Sequence, residues 1–479
     1  MSEKKDEAIS RRSYLKYVGA GVVVAAAAAA GGAYYYSTMP PTPTPTPTQT
    51  TVATTAATTT AAPTTAAEKT NIIFTVWQYN VARIQDNIQK FMALHPDISV
   101  TEYDSPWPDW PAVMIKRFTS NSPVDVTYDG EDWLAQWASA GWVVPLEDYW
   151  DKYVTDHPFK FYVDDMNPYA KSSMMYNGKL YGLPYYSDTF TFLYNEKMLG
   201  DNGLEVPTDW NEVQDVALKL KQKGVMPYPY QLQFQANNPF DFAVVLSAAY
   251  GDGARLFDEN YNPLFSDPSS PYYKYLQWLV DGIHKYKFVS PDYLQNHETV
   301  VVQRMGAGTG AMGVLAKYNL AAANAPGSSP LAGNFRLALM PGKSHECYGF
   351  AKMYNLTKMA VDRGAKATQA AITFIEYFGG SKGPVAKAWA VLDGLGFGFL
   401  SLYDDPDVAK AIDTLYGPGA ADIIKQQSGL AISEGHPVWF GQWLNYCVST
   451  AIPQALSKQK SVADAVKGMA DFLSKAKSA

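Results

Sequence analysis

A chain of 479 residues is longer than one ordinary hydrophobic core organises, so two packed lobes are expected. Hydrophobic residues make up 47% and charged residues 18%, which excludes the disordered and fibrous classes. The net charge is −7 and no Lys/Arg run occurs beyond the N-terminus, which argues against nucleic acid as a partner.

Taken in chain order, the first feature is an address. Ser10-Arg11-Arg12-Ser13-Tyr14-Leu15-Lys16 resembles a twin-arginine export signal, and residues 17–36 follow without a charge, rich in Ala, Gly and Val. As a helix that run would span roughly 30 Å, enough for a bilayer, so residues 1–37 are expected to act as a signal or a retained anchor. Residues 38–68 are a Thr/Pro/Ala-rich tract with no charge before Glu68; they cannot bury a core and are expected to form an extended stalk. The folded region starts at about residue 69, which places it outside the cytoplasmic membrane on this reading.

Residues 72–76 are expected to form a strand, 81–94 an amphipathic helix, 98–103 a second strand, and 113–118 part of a helix. Residues 124–128 follow as a third strand and 133–139 as another helix. Strands alternating with helices predict a largely parallel α/β sheet. Asn177-Gly178 is a tight-turn pair between extended runs, so 174–176 and 179–183 form a hairpin; Pro184 then ends regular structure, and 190–194 is a buried strand. Thr208 is placed to cap a helix from about Trp210, with Glu212 in its first turn. Helices are expected over 271–285, 365–377, 407–415, 443–456 and 462–474. Cys347 and Cys447 are too few for a disulfide scaffold and lack zinc spacing; they either pair or remain buried thiols.

Ligands in open α/β sheets bind beyond the carboxyl ends of the strands. There the chain places Trp77 and Gln78 with Tyr79, then Asp104 and Trp107, then Asp129, Glu131 and Asp132, then Tyr186 and Asp188. Carboxylates and amides accept from sugar hydroxyls, and aromatic rings pack on the apolar C–H face of a sugar. Gly308-x-Gly310-x-x-Gly313 satisfies a dinucleotide fingerprint on paper, but no acidic residue follows before Glu346 to hold a ribose. Histidines are scattered, and neither a cofactor nor a metal is expected. Two carboxylates such as Glu131 and Asp188, if held roughly 5–10 Å apart, would suit a glycosidase, which makes a tethered carbohydrate-active enzyme the alternative reading.

Several segments resemble the extracellular solute-binding proteins of ABC importers, in the family that includes maltose-binding protein. They are the tract from Tyr176 to Trp210, Phe91-Met92-Ala93-Leu94-His95-Pro96-Asp97-Ile98-Ser99-Val100, Pro123-Val124-Asp125-Val126, Gly141-Trp142-Val143-Val144-Pro145-Leu146, Gly310-Ala311-Met312, Leu339-Met340-Pro341-Gly342, and Ala451-Ile452-Pro453-Gln454-Ala455-Leu456. The resemblance implies an α/β, two-lobed periplasmic-binding-protein type II fold. Lobe one would be 69–187 plus 348–393 and lobe two 188–347 plus 394–479, with hinges near 188–190, 347–348 and 393–394. It also implies cleft positions at Asn238, Tyr318, and Trp439 or Trp443. The implied function is capture of a sugar or oligosaccharide by a monomer that delivers it, without chemistry, to ABC permease subunits with an associated ATPase. Asp188→Ala would then weaken binding and leave folding intact. Asn355-Leu356-Thr357 is an N-glycosylation sequon.

Overall fold

Three short apolar runs, each followed by a helix, build the parallel part of the sheet. The computed structural model describes residues 69–106, 109–154 and 156–478. The export signal, the stalk and Trp107 therefore lie outside the described residues. Strand β1 (Thr70–Trp77) pairs in parallel along its whole length with β2 (Ile98–Ser105), and through Phe74 and Thr75 with β3 (Val126–Gly130). The connecting helix Val81–Leu94 turns Ile84, Ile88 and Phe91 inward at helical spacing, and Phe91 meets Phe374 of helix Ala365–Gly379 edge-on at 5.2 Å.

Most of the remaining strands pair antiparallel with their neighbours. A hairpin, β4 (Met175–Tyr176) and β5 (Lys179–Leu180), turns on Asn177 (φ 50°) and Gly178 (φ 77°), the left-handed pair that a two-residue loop requires. Strand β6 (Gly182–Asn195) follows, buried throughout. Its first half is antiparallel to β11 (Cys347–Leu356), which is itself antiparallel to β3. Its second half pairs with β9 (Met312–Ala316) and β10 (Phe335–Ala338), both antiparallel. The order is β10-β6-β11-β3-β1-β2, with β9 on β6 and β12 (Ala431–Ile432) on β11; a small pair, β7 (Phe234–Gln235) with β8 (Gln295–Asn296), stands apart. The sheet is therefore mixed, not largely parallel, because β11 enters from the far half of the chain instead of through a βαβ crossover from a neighbour.

Pro184 does not end regular structure. Tyr186 faces Lys352 and Pro184 faces Met353, so Tyr185 is an extra residue and the ladder breaks between Lys352 and Met353. A proline, having no N–H, is tolerated inside a strand at such a bulge. Two other expectations shift for similar local reasons. Helix Trp210–Gln222 is capped by Asp209, which accepts from the amides of Asn211 and Glu212, while Thr208 donates to Glu212 instead. The predicted helix over 443–456 is split into Phe440–Tyr446, a wide turn Cys447–Ala451 and Ile452–Leu456, since Pro453 offers no N–H to the carbonyl four residues back. Cys347 and Cys447 are both buried and free. Asn355 is buried in β11 and donates its amide to Tyr181 O at 2.9 Å, so the sequon is closed to modification in the folded protein. Gly310 and Gly313 lie tight against Gln231, where a side chain would collide; the glycine pattern serves packing. Among the described residues no helix is long and apolar enough to cross a membrane.

A candidate ligand site at the strand crossing

β6 runs through both halves of the sheet, and Tyr186 sits near its midpoint. Burial, followed by the negative charges of Glu131, Asp188 and Glu298, holds its phenol well above the ordinary range. Those three carboxylates come from three elements: the first residue of helix Glu131–Ser139, β6 itself, and the first residue of helix Glu298–Gly306. Tyr318 opens the helix after β9 and donates its hydroxyl to Glu298 Oε2 at 2.7 Å, with Asn319 Nδ2 at 3.3 Å from the same oxygen. Glu131, Asp188 and Glu298 thus act on one buried phenol, and Tyr318 bonds to Glu298, which sequence reading missed because it resembles a helix-starting acid.

A second cluster adjoins it. Lys352 Nζ lies 3.0 Å from Glu131 Oε2 and 3.4 Å from Asp132 Oδ2, with its side chain only 2% accessible. Burial acts to lower the Lys352 ammonium, and Glu131 and Asp132 together outweigh it. Burial pushes Glu131 up to about 7 against the pull of Lys352, with Asp132 adding to the rise. Asp129 is fully buried on β3 and is raised well above the carboxylate range by burial, although Gly130 N donates to its Oδ1 at 2.7 Å. Its Oδ2 has no hydrogen-bond partner among the described residues. His436 approaches Asp132 at 3.4 Å and shares a 3.0 Å hydrogen bond with Tyr348 OH; burial holds its imidazole below the ordinary value, against Asp132.

Trp77 stacks on Tyr79 with centroids 4.9 Å apart and planes at 11°, half-buried at the carboxyl end of β1. Tyr79 is itself pushed up to about 12 by burial, then by Asp393. Gln78 between them is exposed, and its backbone N–H donates to Ser105 O at 2.8 Å.

Three expected ligand residues, Asp188, Asn238 and Trp443, have other work. Asp188 is fully buried against Lys317, 3.3 Å from its Nζ, and accepts from Thr189 N at 2.7 Å. Burial raises its carboxyl while Lys317 draws it back down. Asp188 is an internal ion-pair partner, not an open acceptor. Asn238 is used within its own turn, where its Oδ1 accepts from Phe240 N at 3.3 Å. Trp443 is wholly buried among Phe242, Phe257 and Phe265 and donates its N–H to Met469 O at 3.0 Å, so it is core. Trp439 is half-buried, edge-on to Phe257 and Tyr261. Among the described residues no group of His, Cys, Asp and Glu could hold a metal ion.

The model for bacterial extracellular solute-binding proteins matches residues 73–383. The chain belongs to that family. It is 26% identical over 229 residues to the mannitol-binding protein of Pseudomonas aeruginosa, covering 46% of this chain and 48% of that one. It is 25% identical over 209 residues to the maltotriose-binding protein of Pyrococcus abyssi, covering 44% and 42%. The matches thus span about half the length of these curated relatives. Among solved structures, maltose-bound T. maritima MalE3 superposes with a TM-score of 0.70 at 18% identity, over 85% of this chain and 99% of that one. A solute-binding protein from Agrobacterium vitis S4 with bound D-mannitol gives 0.63 at 21%, over 85% and 97%. The fold is that of the two-lobed type II periplasmic binding proteins.

Proposed function

We propose that this solute-binding protein captures a sugar, oligosaccharide or sugar alcohol outside the cytoplasm and hands it unchanged to the permease of an ABC importer. The observation that carries the reading is the meeting at Tyr186 of Glu131 from one half of the sheet with Glu298 and Tyr318 from the other. Such a set accepts hydroxyl hydrogens from both sides, and the Trp77–Tyr79 stack offers a ring face nearby. Relatives named for mannitol and maltotriose support the same ligand class. The division into 69–187 plus 348–393 and 188–347 plus 394–479 belongs to this proposal. Its hinges are 188–190, 347–348 and 393–394, the first two where β6 and β11 change partners, and contacts made only in the closed form bias closure. Export by the twin-arginine-like segment and tethering by the stalk complete the reading.

Thermal unfolding of the protein against mannitol, glucose, maltose and maltotriose tests it. A binder at a hundred times its dissociation constant adds about 2.7 kcal/mol and raises the midpoint. Recovery of the sugar intact is expected. A cleaved product would replace binding with hydrolysis, and no shift from any sugar would remove the ligand class.

A further inference from the structure

We propose that Lys352 is the specificity-determining residue of this site: its ammonium, seated between Glu131 and Asp132, selects uncharged polyhydroxyl ligands over amine-bearing ones. The inference rests on the solute-binding reading and sharpens its ligand class. Lys352 stands alone as a charge in the buried run Gly349–Tyr354 of β11, where a lysine is costly unless paired. Two local devices seat it. The break in the β6–β11 ladder follows Lys352 directly, and such bulges re-aim a side chain. Across the β3–β11 pairing Lys352 faces Gly130, where a methyl group would come within 2.9 Å of Nζ and 3.2 Å of Cδ. The bare glycine is what lets the lysine lie down over the strand.

The charge balance then sets the ligand. Glu131 and Asp132 pair with one ammonium, whose charge also reaches Asp129. Burial raises the carboxyls of both Asp129 and Glu131, the latter to about 7, so the single ammonium faces less negative charge at neutral pH than three free carboxylates would supply. A ligand hydroxyl donates to a carboxylate and accepts from Lys352 with no charge brought in. A ligand ammonium competes with Lys352 for the same oxygens and is repelled by it. An anionic sugar meets Glu131, Asp132 and Glu298 instead. Replacing the lysine by a neutral side chain leaves Glu131 and Asp132 without their cation, which a ligand ammonium would then supply.

The test uses the full chain at pH 7, with calorimetric titration of matched probes: glucose against glucosamine, mannitol against 1-amino-1-deoxymannitol, and maltotriose against its 1-amino counterpart. The wild type is expected to favour the neutral member, and K352M to move the ratio toward the amine by about tenfold or more, with K352R keeping the wild-type order. An unchanged ratio in K352M, or a wild type that prefers amines, overturns the proposal. A ligand-free readout separates this from failure of the sugar reading. Without its counter-ion, the carboxylate cluster should make the K352M unfolding midpoint fall more steeply than the wild type's as pH rises from 5 to 8. An identical profile overturns the role of Lys352 whatever binds. A steeper profile with no sugar bound by the wild type overturns the sugar reading and the selectivity together. Should K352M fail to fold, E131Q/K352M removes one charge of each sign; it is expected to fold and to lose the discrimination, and retained discrimination would exclude Lys352.

Discussion

Two lysine–carboxylate centres flank Tyr186, and they differ in stoichiometry. At one, Lys317 (4% accessible) meets a single carboxylate, Asp188 (fully buried), whose Oδ1 also takes the Thr189 amide, while the ammonium reaches toward Gly394 O at 3.5 Å. Tyr416 covers it, with Lys317 Nζ 5.4 Å from the ring centroid, and donates to the same Gly394 carbonyl. At the other, Lys352 serves both Glu131 and Asp132, and Asp129 beside them keeps one oxygen with no hydrogen-bond partner among the described residues. The first centre is internally complete. In the second a single ammonium serves two carboxylates, and the carboxyl oxygen left over beside them is what a ligand can satisfy. Burial and an ion pair therefore do not mark a binding residue; an unbalanced set of hydrogen-bonding groups does.

The sharpest way to break this contrast is Asp188→Ala. It strands the Lys317 ammonium in the interior, so a loss of about 3–5 kcal/mol in stability is expected by urea unfolding. The double variant D188A/K317M should recover part of that loss. If D188A abolished sugar binding with an unchanged unfolding midpoint, Asp188 would belong to the site after all. Next in size is the pH response of Glu131. Burial raises its folded value to about 7, above the ordinary glutamate value of about 4.5, so the folded state holds the extra proton between those values. Stability from this group is full below about 4.5 and is lost as pH rises toward 7. Glu131→Gln should flatten that decline, on the order of 1–3 kcal/mol, in melts from pH 4 to 8. A parallel curve would mean that Glu131 stays ionised throughout.

Most of the fold was legible because it rests on local periodicity. Helix Val81–Leu94 and the Asn177-Gly178 hairpin carry their signals within a few residues. The orientation of β11 was not legible, since its partners β3 and β6 lie far away in sequence. Among site residues, Glu131, Tyr186 and Tyr318 follow from strand-end placement or resemblance; the charge of Glu131 acts on the buried Tyr186 phenol and that of Glu298 on both phenols. Asp188 looked equally exposed to a ligand, because nothing near it announces Lys317, 129 residues on. Trp443 is offered by the resemblance as a cleft position, and an indole looks alike in a core and in a cleft. Lys352 carries its own signal, one lysine inside an apolar strand. His436, between Gly435 and Pro437, had none beyond a loop.

Binding energy on the aromatic side should be smaller. Trp77→Ala removes the half-buried ring stacked on Tyr79 at the end of β1. An affinity loss of about tenfold, roughly 1.4 kcal/mol, is expected by titration calorimetry. Unchanged affinity would place the ligand on the carboxylate side alone and make the surplus acceptors the whole of the site.

The smallest effect belongs to a third lysine–carboxylate pair, Lys90–Asp86, on the outer face of helix Val81–Leu94. Its atoms are 2.6 Å apart, closer than those of either buried centre, yet its side chains are 61% and 56% accessible. Water and salt screen such a pair, and holding two long side chains in one geometry offsets the attraction. Lys90→Ala should therefore change stability by less than about 0.5 kcal/mol, and that change should vanish in 1 M salt. Distance and burial make opposite forecasts here: by distance Lys90 matters most, by burial least. A loss matching that of D188A would make proximity the measure of these pairs and dissolve the distinction between the complete centre and the open one.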